Sequence, residues 1–167
     1  MVKIRRLGEL DAEKYLEIRL KALRNNPEAF GSSYEEEKDR PVEVYSQRLA
    51  SDASFTYGAI LDNQLVGTVT LVKETYRKFK HRANIVGMYV DPSNRGFGVG
   101  KLLLIEAIKQ AKSIGVIEQL NLSVVTTNEP AKKLYTSLGF EIFGTEKRAL
   151  KLDEGTYLDE HHMVLFL

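Results

Sequence analysis

Val90-Asp91-Pro92-Ser93-Asn94-Arg95-Gly96-Phe97-Gly98-Val99-Gly100-Lys101 joins a strand-like run to a long helical pattern. Asn84–Val90 reads as a strand that ends at Pro92, which lacks the N–H a ladder needs. Glycines then alternate at 96, 98 and 100, and a helix begins at Gly98 and runs to Ile114, with Gly115 placed to cap it. The unit suits an anion. Glycine opens backbone conformations closed to other residues and lets a ligand approach closely. The unpaired N–H groups of a first helical turn point outward, and the helix dipole favours negative charge there. Two phosphate-binding patterns fail. A Walker A loop ending at Gly100-Lys101 would place its first glycine on Arg95 and its hydroxyl on Leu102. A dinucleotide fingerprint starting at Gly96 and Gly98 meets Lys101 where the third glycine belongs, and the next strand ends in Thr126-Thr127 instead of an acid.

A second segment is Asn128-Glu129-Pro130-Ala131-Lys132-Lys133-Leu134-Tyr135-Thr136-Ser137-Leu138-Gly139-Phe140. Asn128 suits an N-cap, Pro130 sits in the first turn where a missing N–H does no harm, and Ala131, Leu134, Tyr135 and Leu138 share one face. On spacing alone Tyr135 is a half-buried core aromatic. The two segments together resemble the GCN5-related N-acetyltransferase (GNAT) family. Arg95, Gly98 and Gly100 match its Arg/Gln-x-x-Gly-x-Gly/Ala turn, and Asn128, Ala131, Tyr135, Gly139 and Phe140 match its second signature. The resemblance covers about residues 83–143 well, and the first third only through its order of elements.

The remaining chain fits an α/β fold. Val2–Leu7 reads as a strand, and Asp11 as the N-cap of a helix to Arg24 with Ala12, Leu16, Leu20 and Leu23 on its inner face. Phe30–Arg40 reads as a polar loop carrying Glu35-Glu36-Glu37, and Val42–Leu49 as a short helix. Phe55–Leu61 and Leu65–Val72 form a hairpin across Asp62-Asn63-Gln64. Leu120–Val125, Phe140–Gly144 and His162–Leu167 supply further strands. Antiparallel strands first and alternating strands and helices later favour an α/β sandwich with a mixed sheet. The resemblance sharpens this to one GNAT-like domain over residues 1–167, with a splayed sheet of about six to seven strands and helices on both faces.

Composition bounds the partners. With 167 residues, 43% hydrophobic and 28% charged, the chain has the make-up of a folded domain. Its net charge of +1 gives no bulk attraction to nucleic acid or to an anionic membrane surface. No apolar run approaches the roughly 20 residues of a bilayer span, and MVKIRRLGEL lacks the apolar core of a secretory signal. Zero cysteines exclude disulfides, thiolate catalysis and Cys-based metal sites. The three histidines are His81 and the adjacent His161 and His162, which a strand would point to opposite faces, so no metal site is expected. Cytoplasmic location is the expectation.

The resemblance implies acetyl transfer from acetyl-CoA to an amine acceptor, a small molecule or a peptide or protein amine. Two parallel strands, Asn84–Val90 and Leu120–Val125, would splay to admit the pantetheine arm. Its amides would pair with main chain at Met88, Tyr89 and Val90. The diphosphate would rest on the N–H groups of Arg95, Gly96, Phe97, Gly98, Val99, Gly100 and Lys101, and Asn128 and Tyr135 would complete the cofactor contacts. Tyr135 is implied as the general acid toward the departing thiolate. The amine must lose a proton before attack. Some relatives carry a Glu on the strand before the glycine turn, at the position that corresponds to Asn84 here. Glu35 and Glu36 stand next as base candidates, then His81, then a water chain. The acidic Glu35–Glu37 run suits a cationic acceptor, and the basic Lys73–Arg82 stretch an acidic one. The apolar Met163–Leu167 strand is available to pair in a homodimer. An acyl-CoA-binding module without turnover is the alternative, and a nucleotide-dependent enzyme the third reading.

Overall fold

Alternating apolar residues and short polar turns generate one sheet in the computed structural model, which describes residues 1–152 and 155–167. Among the described residues it has seven strands. They are β1 (Lys3–Arg6), β2 (Ser54–Leu61), β3 (Gln64–Lys73), β4 (Arg82–Val90), β5 (Gln119–Val125), β6 (Glu141–Lys151) and β7 (Tyr157–Phe166). The helices are α1 (Ala12–Asn25), α2 (Tyr34–Glu37), α3 (Val42–Ala50), α4 (Val99–Ile114) and α5 (Glu129–Ser137). The sheet order is β1-β2-β3-β4-β5-β7-β6, with every neighbouring pair antiparallel except β4 and β5. Asp62 and Asn63 both take positive φ and close the β2–β3 hairpin as a two-residue turn, so Gln64 already belongs to β3.

The core lies on both faces of the sheet. On one side α4 buries Val99, Leu103, Leu104, Ala107 and Ala111 against Tyr57, Val69, Leu71, Ala83 and Ile85. Stripping Leu103 or Leu104 to Ala would cost about 2–5 kcal/mol at such a filled site. On the other side α1 and α3 cover the sheet through Leu7, Ala12, Tyr45 and Leu49, and through Ile18, Ala22 and Tyr89.

Three local expectations change. The buried line of α1 is Ala12, Ile18, Ala22 and Leu23, because α1 packs against both α3 and β3, and Leu16 and Leu20 are left at its margin. Asp11 does not cap α1. Its carboxylate accepts from the Arg5 guanidinium at 2.6 and 2.8 Å and from the Gly8 N–H at 2.8 Å, and the Arg5 hydrogen bonds hold it below the usual carboxylate range. Within the Met163–Leu167 stretch, Met163 and Val164 are paired on both sides, with β5 and with β6, and Leu165 and Phe166 pair with β5 alone, so the edge available to a second copy is shorter than the sequence suggests.

The site is set by a defect in β4. Thr68 of β3 faces Tyr89 while Thr70 faces Val86, so two steps along β3 match three along β4. The extra residue is accommodated beside Gly87, at φ +60. Such a bulge bends its strand and increases its twist. Pairing between β4 and β5 is correspondingly short: Arg82–Asn84 align with Gln119–Asn121, and no ladder joins the two strands beyond Asn84 and Asn121 among the described residues.

Candidate active site

The unpaired ends of β4 and β5 enclose a cleft that leads to the glycine turn. Met88, Val90, Gly98, Gly100, Val125, Asn128 and Tyr135 all line it. Gly96 and Gly98 sit at φ +83 and +79, the region where a Cβ is strained, and Gly98 is the N-cap of α4. The Arg95 N–H, expected among the phosphate donors, is donated to the Pro92 carbonyl at 3.4 Å, closing a 3-10 turn, whereas among the described residues none accepts a hydrogen bond from the N–H groups of residues 96–101. The first helical bond of α4 begins only at Leu102, whose N–H reaches the Gly98 carbonyl at 3.1 Å. Six consecutive donors at the positive end of a 16-residue helix are thus left for an anion. At Gly100 a Cβ would stand 2.9 Å from the Met88 methyl and 3.1 Å from Leu134, so glycine keeps the cleft floor low.

The flanking side chains hold this turn in shape. The Asp91 carboxylate accepts from the Ser93 N–H at 3.1 Å and from its hydroxyl at 2.8 Å, and pairs with Lys21 of α1. Arg95 donates from Nε to the Val90 carbonyl at 2.8 Å and from its guanidinium to Asn26 at 3.1 Å, and it stacks over Tyr89. Its guanidinium therefore braces the loop as well as lining the cleft. Phe97 is 79% exposed and its ring is outside the cleft lining. Asn128 accepts from the Ala131 N–H at 3.3 Å, capping α5 while facing the cleft.

A second cleft adjoins the first along the splayed strands. Arg19, Phe30, Asn84, Ser123, Glu160 and His162 are in its wall. Met88, Ser123 and Tyr135 line both clefts and mark their junction. Tyr135 is buried against Phe140, and burial pushes its phenol up to about 12. At neutral pH it holds its proton and can donate it.

The structure does not bring Glu35 or Glu36 to either cleft. Glu35 is exposed and pairs with Lys38. Glu36 accepts from the Ser33 N–H and hydroxyl, both at 2.9 Å, as one half of a capping box for α2, and these bonds hold it below the usual carboxylate range. The third acid of the run, Glu37, is a core residue. Burial opposes its charge, but bonds from Arg19 at 3.1 and 3.2 Å and from the Tyr45 hydroxyl at 3.0 Å outweigh that and keep it low. Glu37 is therefore a structural anchor, and Glu35 and Glu36 lie on the solvated surface beside it. His81 lies in the turn just before β4, where its carbonyl accepts from Glu118 and Gln119, and it lines neither cleft. Asn84 faces the second cleft and donates to Glu74 at 3.0 Å. Ser123, His162 and Glu160 were invisible as site residues because strand periodicity fixes a face but not what lies across it. Among the described residues no group of three His, Asp or Glu side chains is placed to hold a metal ion, and no helix is long and apolar enough to cross a membrane.

A mixed sheet splayed at its one parallel pair, with a glycine turn at the open end, defines a GNAT-type acyltransferase fold. The model of the Acetyltransferase (GNAT) family matches residues 18–140, and the chain belongs to that family. It is 32% identical over 105 residues to the L-amino acid N-acetyltransferase AaaT of Escherichia coli, covering 63% of this chain and 64% of that protein. The chain thus spans less than two thirds of this relative's length. A GNAT-family acetyltransferase from Streptococcus pneumoniae superposes over 100% of both chains with TM-score 0.90 at 24% identity. The yncA protein of Salmonella typhimurium, solved with its cofactor acetyl-CoA, superposes over 100% of this chain and 94% of its own with TM-score 0.85 at 21% identity.

Proposed function

We propose that this chain transfers an acetyl group from acetyl-CoA to a primary amine by direct attack, without a covalent enzyme intermediate. The observation that carries the proposal is the junction: a cleft that ends at a row of free amides and a second, polar-walled cleft share Tyr135 in their walls. The residues fit the cofactor. The N–H groups of residues 96–101 would hold the diphosphate, and main chain at Met88, Tyr89 and Val90, left without a β5 partner, would take the pantetheine amides as an added strand. Acetyl-CoA supplies an activated carbonyl that the amine nitrogen takes up as the C–S bond breaks. An N–H of the bulged Met88–Val90 segment would stabilise the developing oxyanion. Tyr135 gives its proton to the leaving sulfur, which its raised phenol permits at any pH below about 12.

The acceptor, a small amine or a peptide N-terminus, enters from the second cleft, and the L-amino acid named for the E. coli relative supports the small amine. In this proposal residues 1–167 work as one domain in the cytoplasm, without nucleic acid or membrane. A homodimer, if formed edge to edge, uses β6, whose Ile142 and Phe143 are exposed. Thiol release from acetyl-CoA tests the activity against free amino acids, a tripeptide with a free N-terminus, spermidine and a lysine peptide. Turnover with at least one is expected. Tight CoA binding with no thiol release across the panel would favour the alternative, a binding module, to which the amide at Asn84 already points.

A further inference from the structure

Ser123, His162 and Glu146 form a hydrogen-bonded row across three strands. Ser123 and His162 are direct cross-strand partners on β5 and β7. The Ser123 hydroxyl lies 2.9 Å from His162 Nδ1, and His162 Nε2 lies 3.1 Å from the Glu146 carboxylate on β6. Gly144 is the β6 residue opposite His162, and the Phe143 ring packs beside the imidazole at 6.1 Å. The neighbouring His161 makes a similar bond to Thr145 but lines neither cleft.

We infer that this row is the proton acceptor for the attacking amine, an inference that rests on the acetyl transfer proposed above. The geometry fixes the direction of transfer. A carboxylate can only accept, so Glu146 requires the proton of neutral His162 on Nε2. Nδ1 is then left with its lone pair toward Ser123, and the serine hydroxyl donates to it. The hydroxyl oxygen keeps its own lone pairs for an N–H of the acceptor. As the ammonium gives a proton to the Ser123 oxygen, the serine proton passes to His162 Nδ1. The imidazolium so formed is stabilised by Glu146, and the neutral amine is free to attack. Ser123 lines both clefts, so it is the member of the row that touches substrate, and His162 and Glu146 act through it. The other charged or titratable groups around this cleft are Arg19, already paired with Glu37, and Glu160 and Tyr135. The row supplies the base that neither Asn84 nor Glu35 nor Glu36 provides.

The test uses the whole chain, acetyl-CoA and the fastest amine of the panel, near pH 7 and about pH 9.5. Near pH 7, Ser123→Ala and His162→Gln are expected to lower kcat/KM about 100-fold and Glu146→Gln about 10-fold, the range of a lost general base. At the higher pH a far larger share of the amine is already neutral, and the defects should shrink several-fold. CoA affinity by calorimetry stays within about twofold, and His161→Gln behaves as wild type. Ser123→Ala removes one exposed hydroxyl, so it retains the fold if the histidine variant does not. Equal losses at both pH values, wild-type rates in Ser123→Ala, or an acetyl group found on Ser123 by mass spectrometry would overturn the relay alone. A wild-type chain that binds CoA yet releases no thiol with any amine would overturn the acetyl transfer as well.

Discussion

Replacing Tyr135 by Phe separates its chemistry from its packing. The ring is buried against Phe140, and among the described residues its hydroxyl has no hydrogen-bond partner. The substitution keeps the ring and removes only that hydroxyl, so near neutral pH stability should change by less than about 1 kcal/mol. Alkaline stability should differ. The folded phenol is pushed up to about 12, above its ordinary value of 10. A raised folded value means stability that is complete below about pH 10 and is lost as pH climbs toward the folded value. Two units amount to about 3 kcal/mol when the window has been crossed, and about 1 kcal/mol at pH 11. Urea titrations should therefore show wild type losing about 1 kcal/mol more than Tyr135→Phe between pH 9 and pH 11. Thiol-release kinetics of the same variant should show kcat down about 100-fold, the low end of a lost general acid. Unchanged kcat would refute Tyr135 as the proton donor. Parallel alkaline losses in the two proteins would refute the raised phenol.

Glu37→Ala removes the partner of the half-buried Arg19 guanidinium and leaves the Tyr45 hydroxyl without its acceptor, and should cost about 2–3 kcal/mol by urea unfolding. Because Glu37 and Asp11 titrate below their ordinary values, the stability they give is present above about pH 4 and should fall as acid titrates through those lower values, which acid unfolding curves of Glu37→Ala and Asp11→Asn should show flattened. Gly98→Ala forces a Cβ into the left-handed region at φ +79, with open space around it; it should lose about 1–2 kcal/mol of stability and weaken CoA binding measured by calorimetry. The Tyr89 hydroxyl is buried with no partner, so Tyr89→Phe should raise stability by about 1 kcal/mol in thermal or urea unfolding.

The elements around the glycine turn were legible because each is fixed locally. Gly115 ends α4 at φ +78, which its missing Cβ allows, and the Asn128 side chain caps α5. The short pairing of β4 and β5 was not legible without the family resemblance, because it arises from a bulge whose register depends on β3. Asp11 shows the limit of capping signals: Arg5, six residues earlier, claims the carboxylate. The acidic run shows the limit of charge patterning, since Glu35 is solvated, Glu36 caps a helix and Glu37 is buried, three fates for adjacent identical residues. Ser123, His162 and Glu146 lie far apart in sequence and meet only through the β5-β7-β6 order, which no spacing encodes.

The phosphate cradle is the claim on which the rest depends. Amide chemical-shift mapping of the chain titrated with CoA tests it most directly. The account predicts large, saturable shifts concentrated at residues 96–101, at Met88–Val90 and at Asn128. Shifts that leave residues 96–101 untouched while CoA binds elsewhere would contradict it.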